Sequence, residues 1–154
     1  MRRALPLAVV VLAILALADS VLLTVEHFTS PDDDGQLLAS ACDIGGGECE
    51  TVLASNASTI LGIPNAVLGA GYYLALAVLA TARLRTGRWP FPTLLPLLLL
   101  GGLAFSGYLM YTMVELAPSL CPYCIAAHAA NTLIAIGYTL SRWVDTHRPV
   151  ARQA

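Results

Sequence analysis

The chain of 154 residues contains no lysine, and all eight of its basic residues are arginine. Only 12% of the residues are charged, against about 25% in a soluble globular domain. That scarcity excludes a soluble enzyme, a disordered tail and a nucleic-acid binder, whose surfaces need polar or basic residues in number. The formal net charge of −2 gives no attraction for a polyanionic partner. There is no haem-ligand pattern, no flavin fingerprint and no internal repeat, and the one low-complexity stretch is Gly45-Gly46-Gly47. The length suits a single domain, 1–154, with no room for a second.

Apolar residues dominate instead, at 57% of the chain with a mean hydropathy of +0.72. A bilayer core about 30 Å thick needs about 20 apolar residues in a helix. Four stretches meet that need, at about 4–25, 59–82, 92–114 and 121–143. The expected architecture is therefore an all-α membrane protein: a four-helix antiparallel bundle with a long loop between its first two helices, in contact with membrane lipid.

The arginines orient it. Arg2 and Arg3 precede the first run, Arg83, Arg85 and Arg88 lie between the second and third, and Arg142, Arg148 and Arg152 close the fourth. All eight fall on one side of a four-span chain, and the positive-inside rule makes that side cytoplasmic, with both termini. Eight of the acidic residues, among them Asp32, Asp33, Asp34, Asp43, Glu48 and Glu50, fall on the other side. Trp89 and Trp143 stand at the cytoplasmic helix ends, where amphipathic rings favour the interface. A competing reading makes the N-terminus a signal peptide cut after Ala16-Leu17-Ala18. Apolar residues resume at Val21, Leu22, Leu23 and Val25, which favours a retained helix. The cysteines stay extracytoplasmic on either reading. Gly101-Gly102 and Gly107 in the third run allow close helix packing.

The four cysteines carry the chemistry. Cys42 and Cys49 lie in the long loop, separated by the glycine run, just before a short amphipathic helix expected from Cys49, Val52, Leu53 and Asn56. Cys121-Pro122-Tyr123-Cys124 opens the fourth helix. Disulfides form and persist on the extracytoplasmic side, and C-x-x-C at a helix start is a redox spacing. Pro122 suits the first helical turn, and the positive end of the helix dipole favours a thiolate in the pair. Two inert disulfides or a four-cysteine zinc site are the alternatives. Zinc suits the spacing of Cys42 and Cys49 poorly, and a bridge within C-x-x-C closes too small a loop to stabilise much. A mobile pair facing a helix-terminal pair reads better as a relay of thiol–disulfide exchange. Its terminal acceptor would be a lipid-soluble quinone reaching the bundle from the bilayer, with no metal involved.

His128 shares a helix face with Cys124 one turn away, with Asn131 and Thr132 further along. An ionisable residue within a membrane helix is a functional candidate, here as donor to a quinone oxygen or proton source; a hydrogen bond to a neighbouring helix is the plainer role. Asp19 is similar in kind but is placed further from the sulfurs and is given no role.

The chain resembles the vitamin K epoxide reductase family in its bacterial form, over about 5–143. The matching features are Cys42-Asp43-Ile44-Gly45, Cys49 and Ser55; Gly62-Ile63-Pro64 with Asn65, Gly69 and Tyr73; and Cys121-Pro122-Tyr123-Cys124. The DsbB type of thiol oxidase also has two cysteine pairs, but with the close pair first, the reverse of the order here. The resemblance implies that Cys121 and Cys124 form the active site, with Cys124 acting on the quinone (ubiquinone or menaquinone). It implies that Cys42 and Cys49 are a shuttle pair, Cys42 exchanging with a reduced partner and Cys49 with Cys121. It places Ser55 near the shuttle pair and makes Asn65 a donor to a quinone oxygen. The implied function is oxidation of a periplasmic thioredoxin-fold (DsbA-like) partner at the bacterial inner membrane, in support of disulfide formation. A quinone-epoxide reductase using the same relay is the alternative within the family. A non-catalytic membrane protein with structural disulfides is the alternative outside it. Many bacterial relatives carry a fused thioredoxin-like domain; with the sequence ending at Ala154, a separate partner is expected. Animal relatives have tyrosine where this chain has His128, so their substrate is not carried over.

Overall fold

The computed structural model describes residues 3–28, 58–115 and 121–147. Cys42, Cys49, Ser55 and the short helix expected beside them lie outside the described residues. Four long helices make the bundle: α1 (Ala4–Phe28), α2 (Asn65–Thr86), α3 (Leu94–Glu115) and α4 (Pro122–His147). All four are long and apolar enough to cross a membrane. A two-stranded antiparallel pair, β1 (Thr59–Ile60) and β2 (Ile63–Pro64), precedes α2.

That pair explains the main departure from the expected helix limits. The run from 59 is apolar enough for a helix, yet α2 begins only at Asn65. Leu61 and Gly62 both have positive φ, 53° and 79°, and close a two-residue hairpin of the kind whose twist matches its strands. Thr59 then faces Pro64 and Ile60 faces Ile63. Proline fixes its own φ and restrains the residue before it, so the helix starts after Pro64. At the other ends α1 runs on to Phe28 and α4 to His147, beyond their apolar cores.

Helix α1 packs against both α2 and α4. Its buried residues Val9, Ala13, Ala16, Ser20 and Leu23 recur every three or four positions, one stripe of a helix. Ala13, Ala16 and Ser20 are small, which lets the neighbouring backbones approach. Ala16 thus belongs to the core, and Ala16-Leu17-Ala18 lies mid-helix. Facing it, α2 buries Tyr73, Leu76, Ala77 and Ala80, while α4 buries Asn131, Ile134 and Tyr138.

The arginine-rich end is locked by polar contacts. Arg83 Nη2 of α2 donates to both carboxylate oxygens of Asp145 on α4, at 3.0 and 2.8 Å. Trp89 is buried within the bundle: its Nε1 donates to Ser141 Oγ at 3.1 Å and its ring meets Tyr138 edge-on. Trp143 is exposed, as an interfacial residue would be.

Helix α3 stands apart. It buries Leu95 and Leu99 near one end and Thr112 and Met113 near the other, with no fully buried residue between. Gly101, Gly102 and Ser106 occupy that middle stretch, and their small size leaves a space between α3 and the rest of the bundle. The packing role expected for the glycines holds at Gly102 alone, where an added Cβ would collide with the Tyr72 phenol; nothing lies within 4 Å of the Cβ position at Gly101 or Gly107.

Candidate active site

The C-x-x-C segment is built around the first turn of α4. Cys121 precedes the helix, and its carbonyl accepts from the Ile125 N–H at 3.1 Å. Its Sγ accepts from the Cys124 N–H at 3.4 Å, so the sulfur serves as the cap that a helix N-terminus needs. Pro122 fills the next position, where no N–H is required. Both thiols are free. Cys121 is fully buried, packed with Leu23 of α1 and Met113 of α3, whereas Cys124 is half-buried.

This environment acidifies Cys121, whose thiol is pulled below the usual cysteine range. The largest cause is the hydrogen bond that the Cys124 thiol donates to it. Burial opposes the shift, the Cys124 and Tyr123 N–H groups assist it, and the negative charge of Asp19 opposes it. The pair therefore favours its thiolate on Cys121, at the positive end of the helix.

Cys124 opens onto a cavity of about 510 Å³ between α3 and the other helices. Asn65 at the start of α2 and His128 one turn along α4 line the same cavity. Its walls are mostly apolar, with Leu97, Leu98, Phe105 and Met113 among them. At its deeper end the Tyr72 hydroxyl donates to Asn131 Oδ1 at 2.8 Å, and Asn131 Nδ2 donates to Ser106 Oγ at 2.9 Å. Three helices are thereby joined across the cavity floor. The Tyr73 hydroxyl donates to the Ala127 carbonyl at 2.8 Å.

The sequence profile of the vitamin K epoxide reductase family matches residues 7–139, from α1 into the last turns of α4. The chain belongs to the vitamin K epoxide reductase family. As a member of that family it is a membrane oxidoreductase. The matched region holds the C-x-x-C pair, the cavity and all of its lining.

Of the residues singled out from the sequence of this vitamin K epoxide reductase family member, Cys121 and Cys124 are in contact, and Asn65 and His128 share the cavity of Cys124. Cys42, Cys49 and Ser55 lie outside the described residues. Thr132 is exposed and its hydroxyl bonds back to the His128 carbonyl at 3.0 Å, away from the site. Tyr72 and Ser106 were not legible, since a lone tyrosine or serine in an apolar run carries no periodic signal. Asn131 shares the face marked by Cys124 and His128, and its 1% exposure makes it the core of the polar network. Asp19 lies nearer the sulfurs than its position in the chain implies: it is one helical turn from Leu23, which packs in one cluster with Cys121 and Cys124.

Proposed function

We propose that the protein is a thiol–quinone oxidoreductase that oxidises an extracytoplasmic thioredoxin-fold partner and passes the electrons to a membrane quinone. The observation that carries this reading is the shared cavity of Cys124, Asn65 and His128 at the start of a membrane helix. The cavity suits a flat apolar ring: its walls are largely aliphatic and aromatic, and its few polar groups are gathered at two places. A quinone supplies a two-electron acceptor that reaches such a site through the bilayer.

The chain's own residues then divide the work. Cys42 takes the electrons of the reduced partner through a mixed disulfide, and Cys49 resolves it. Cys49 passes them to Cys121, whose acidified sulfur exchanges at neutral pH. Cys124 faces the acceptor. Asn65 and His128 are the donors for its oxygens, and preorganised donors in a dry site stabilise the negative charge that develops there. In this reading the protein lies in the bacterial inner membrane, with both termini cytoplasmic and both cysteine pairs outside.

Purified protein mixed with a reduced thioredoxin-fold oxidase and a quinone analogue should consume quinone in step with partner disulfide. Replacing Cys49 with Ser should accumulate a partner adduct on Cys42. Absence of quinone consumption would refute the function, and an equal adduct in Cys42→Ser would reverse the shuttle roles.

A further inference from the structure

Forming a disulfide from Cys121 and Cys124 breaks two S–H bonds and makes one S–S bond. Two electrons and two protons leave the pair. The acidified Cys121 gives up the first proton more readily than a free thiol. The other is held between two sulfurs, of which Cys121 is fully buried. That proton needs an acceptor nearby.

Asp19 stands where one is needed. It lies in α1 one helical turn from Leu23, which packs in one cluster with Cys121 and Cys124. Its Oδ2 is buried and has no hydrogen-bond partner among the described residues. A carboxylate oxygen left unpartnered in an apolar bundle is costly, and a group kept at that cost is poised to take a proton. Its neighbour Ser20 lines the cavity while Asp19 does not. The helices packed on α1 are α2 and α4. The titratable groups they bring to this level of the bundle are Tyr73 of α2 and Cys121, Cys124 and His128 at the start of α4, with His27 two turns along α1. The tyrosines and Glu115 of α3 that titrate are exposed. Tyr73 is already committed to the Ala127 carbonyl.

We propose that Asp19 is the proton acceptor of the Cys121–Cys124 pair, taking up the proton the two sulfurs share as their disulfide forms. This rests on the thiol–quinone reading above. The electron pair goes to the quinone, which becomes quinol with two protons. The proton on Asp19 leaves afterwards, to the quinol or to the outer aqueous phase, and the carboxylate is restored.

Two measurements on protein with Cys42→Ser and Cys49→Ser test it. The first follows thiolate ultraviolet absorbance against pH and needs no quinone. Asp19→Asn removes a negative charge beside Cys121, so thiolate should form at lower pH than in the parent. The second is single-turnover reduction of a quinone analogue by the pre-reduced pair. Although its thiolate forms more readily, Asn should be slower by roughly 10²-fold, the lower end for losing a general base. Asp19→Glu should recover most of the rate. An unmoved titration, an unchanged rate in Asn, or a Glu variant as slow as Asn each overturns the proposal. If Asn does not fold, time-resolved infrared of the parent, as the pair is oxidised by a small-molecule disulfide, should show one carboxyl gaining a proton transiently before its carboxylate returns. That band should shift in Glu, and its absence overturns the proposal. Failure of the quinone reading looks different: neither parent nor variant reduces quinone, while the titration shift and the carboxyl band persist.

Discussion

At the scale of single residues the site works through unequal environments. Cys121 caps a helix and accepts hydrogen bonds; Cys124 donates one and faces the cavity. The Cys121 thiol should therefore ionise at lower pH than a free cysteine. Attack by reduced Cys121 on a small-molecule disulfide should accordingly persist to lower pH than attack by a free cysteine. Cys124→Ala removes the largest acidifying contact, so thiolate absorbance of Cys121 should then appear at higher pH. A midpoint that stays in place would mean that the helix end, rather than Cys124, sets it. His128 is a donor in the proposed chemistry and touches no exchange step. His128→Ala should lower quinone reduction by roughly 10²-fold, typical of losing one preorganised donor. Oxidation of the partner by pre-oxidised His128→Ala in a single turnover should proceed at the parent rate, and slowing there would give His128 a different role.

Between elements, the two ends of the bundle are held differently. The arginine-rich end is joined by the ion pair of Arg83 and Asp145 and by the Trp89–Ser141 bond. The cavity end relies on Leu23, Met113 and Cys121 in a small cluster, with α3 standing off. Arg83 is 7% exposed and Asp145 31%, so breaking the pair costs less than for one wholly buried. Arg83→Ala should destabilise the detergent-solubilised protein by about 1–3 kcal/mol, below the 3–5 kcal/mol of a fully buried pair. Asp145→Ala should cost at least as much, since it leaves the more deeply buried Arg83 guanidinium unpaired, and the double variant should cost less than the two together. Thermal unfolding of the four proteins measures this, and strict additivity would show that the contact contributes nothing.

For the whole molecule, the proposed function requires a lipid-soluble acceptor and a water-soluble donor to meet within one protein. A bundle with one helix held off the others suits that requirement, because the gap lies among long apolar helices beside the C-x-x-C pair. Orientation remains an expectation from the eight arginines. A reporter active only outside the cytoplasm should work when fused after Ser40 and fail after Arg85 or at Ala154. Activity of the Arg85 fusion would invert the membrane topology and with it the compartment of the cysteines.

By itself the sequence determined the class of the molecule. Four apolar runs can be nothing but helices in a bilayer, because backbone polar groups have no other partners there. The C-x-x-C pair was legible for the same local reason: Cys121, Pro122 and Cys124 are consecutive or nearly so, and a helix start dictates their geometry. His128 followed from its spacing to Cys124 along one helix. The start of α2 was misjudged because hydropathy does not register the positive φ of Leu61 and Gly62. Only the tertiary structure decided which helix stands apart, and therefore where the cavity lies. It alone brought Tyr72, Ser106 and Asn131 from three helices into one network. It also packed Leu23, one helical turn from Asp19, against sulfurs about a hundred positions later in the chain. Such meetings depend on the rotation and contact of one helix against another, which side-chain volumes settle across the bundle and which no single run of residues contains.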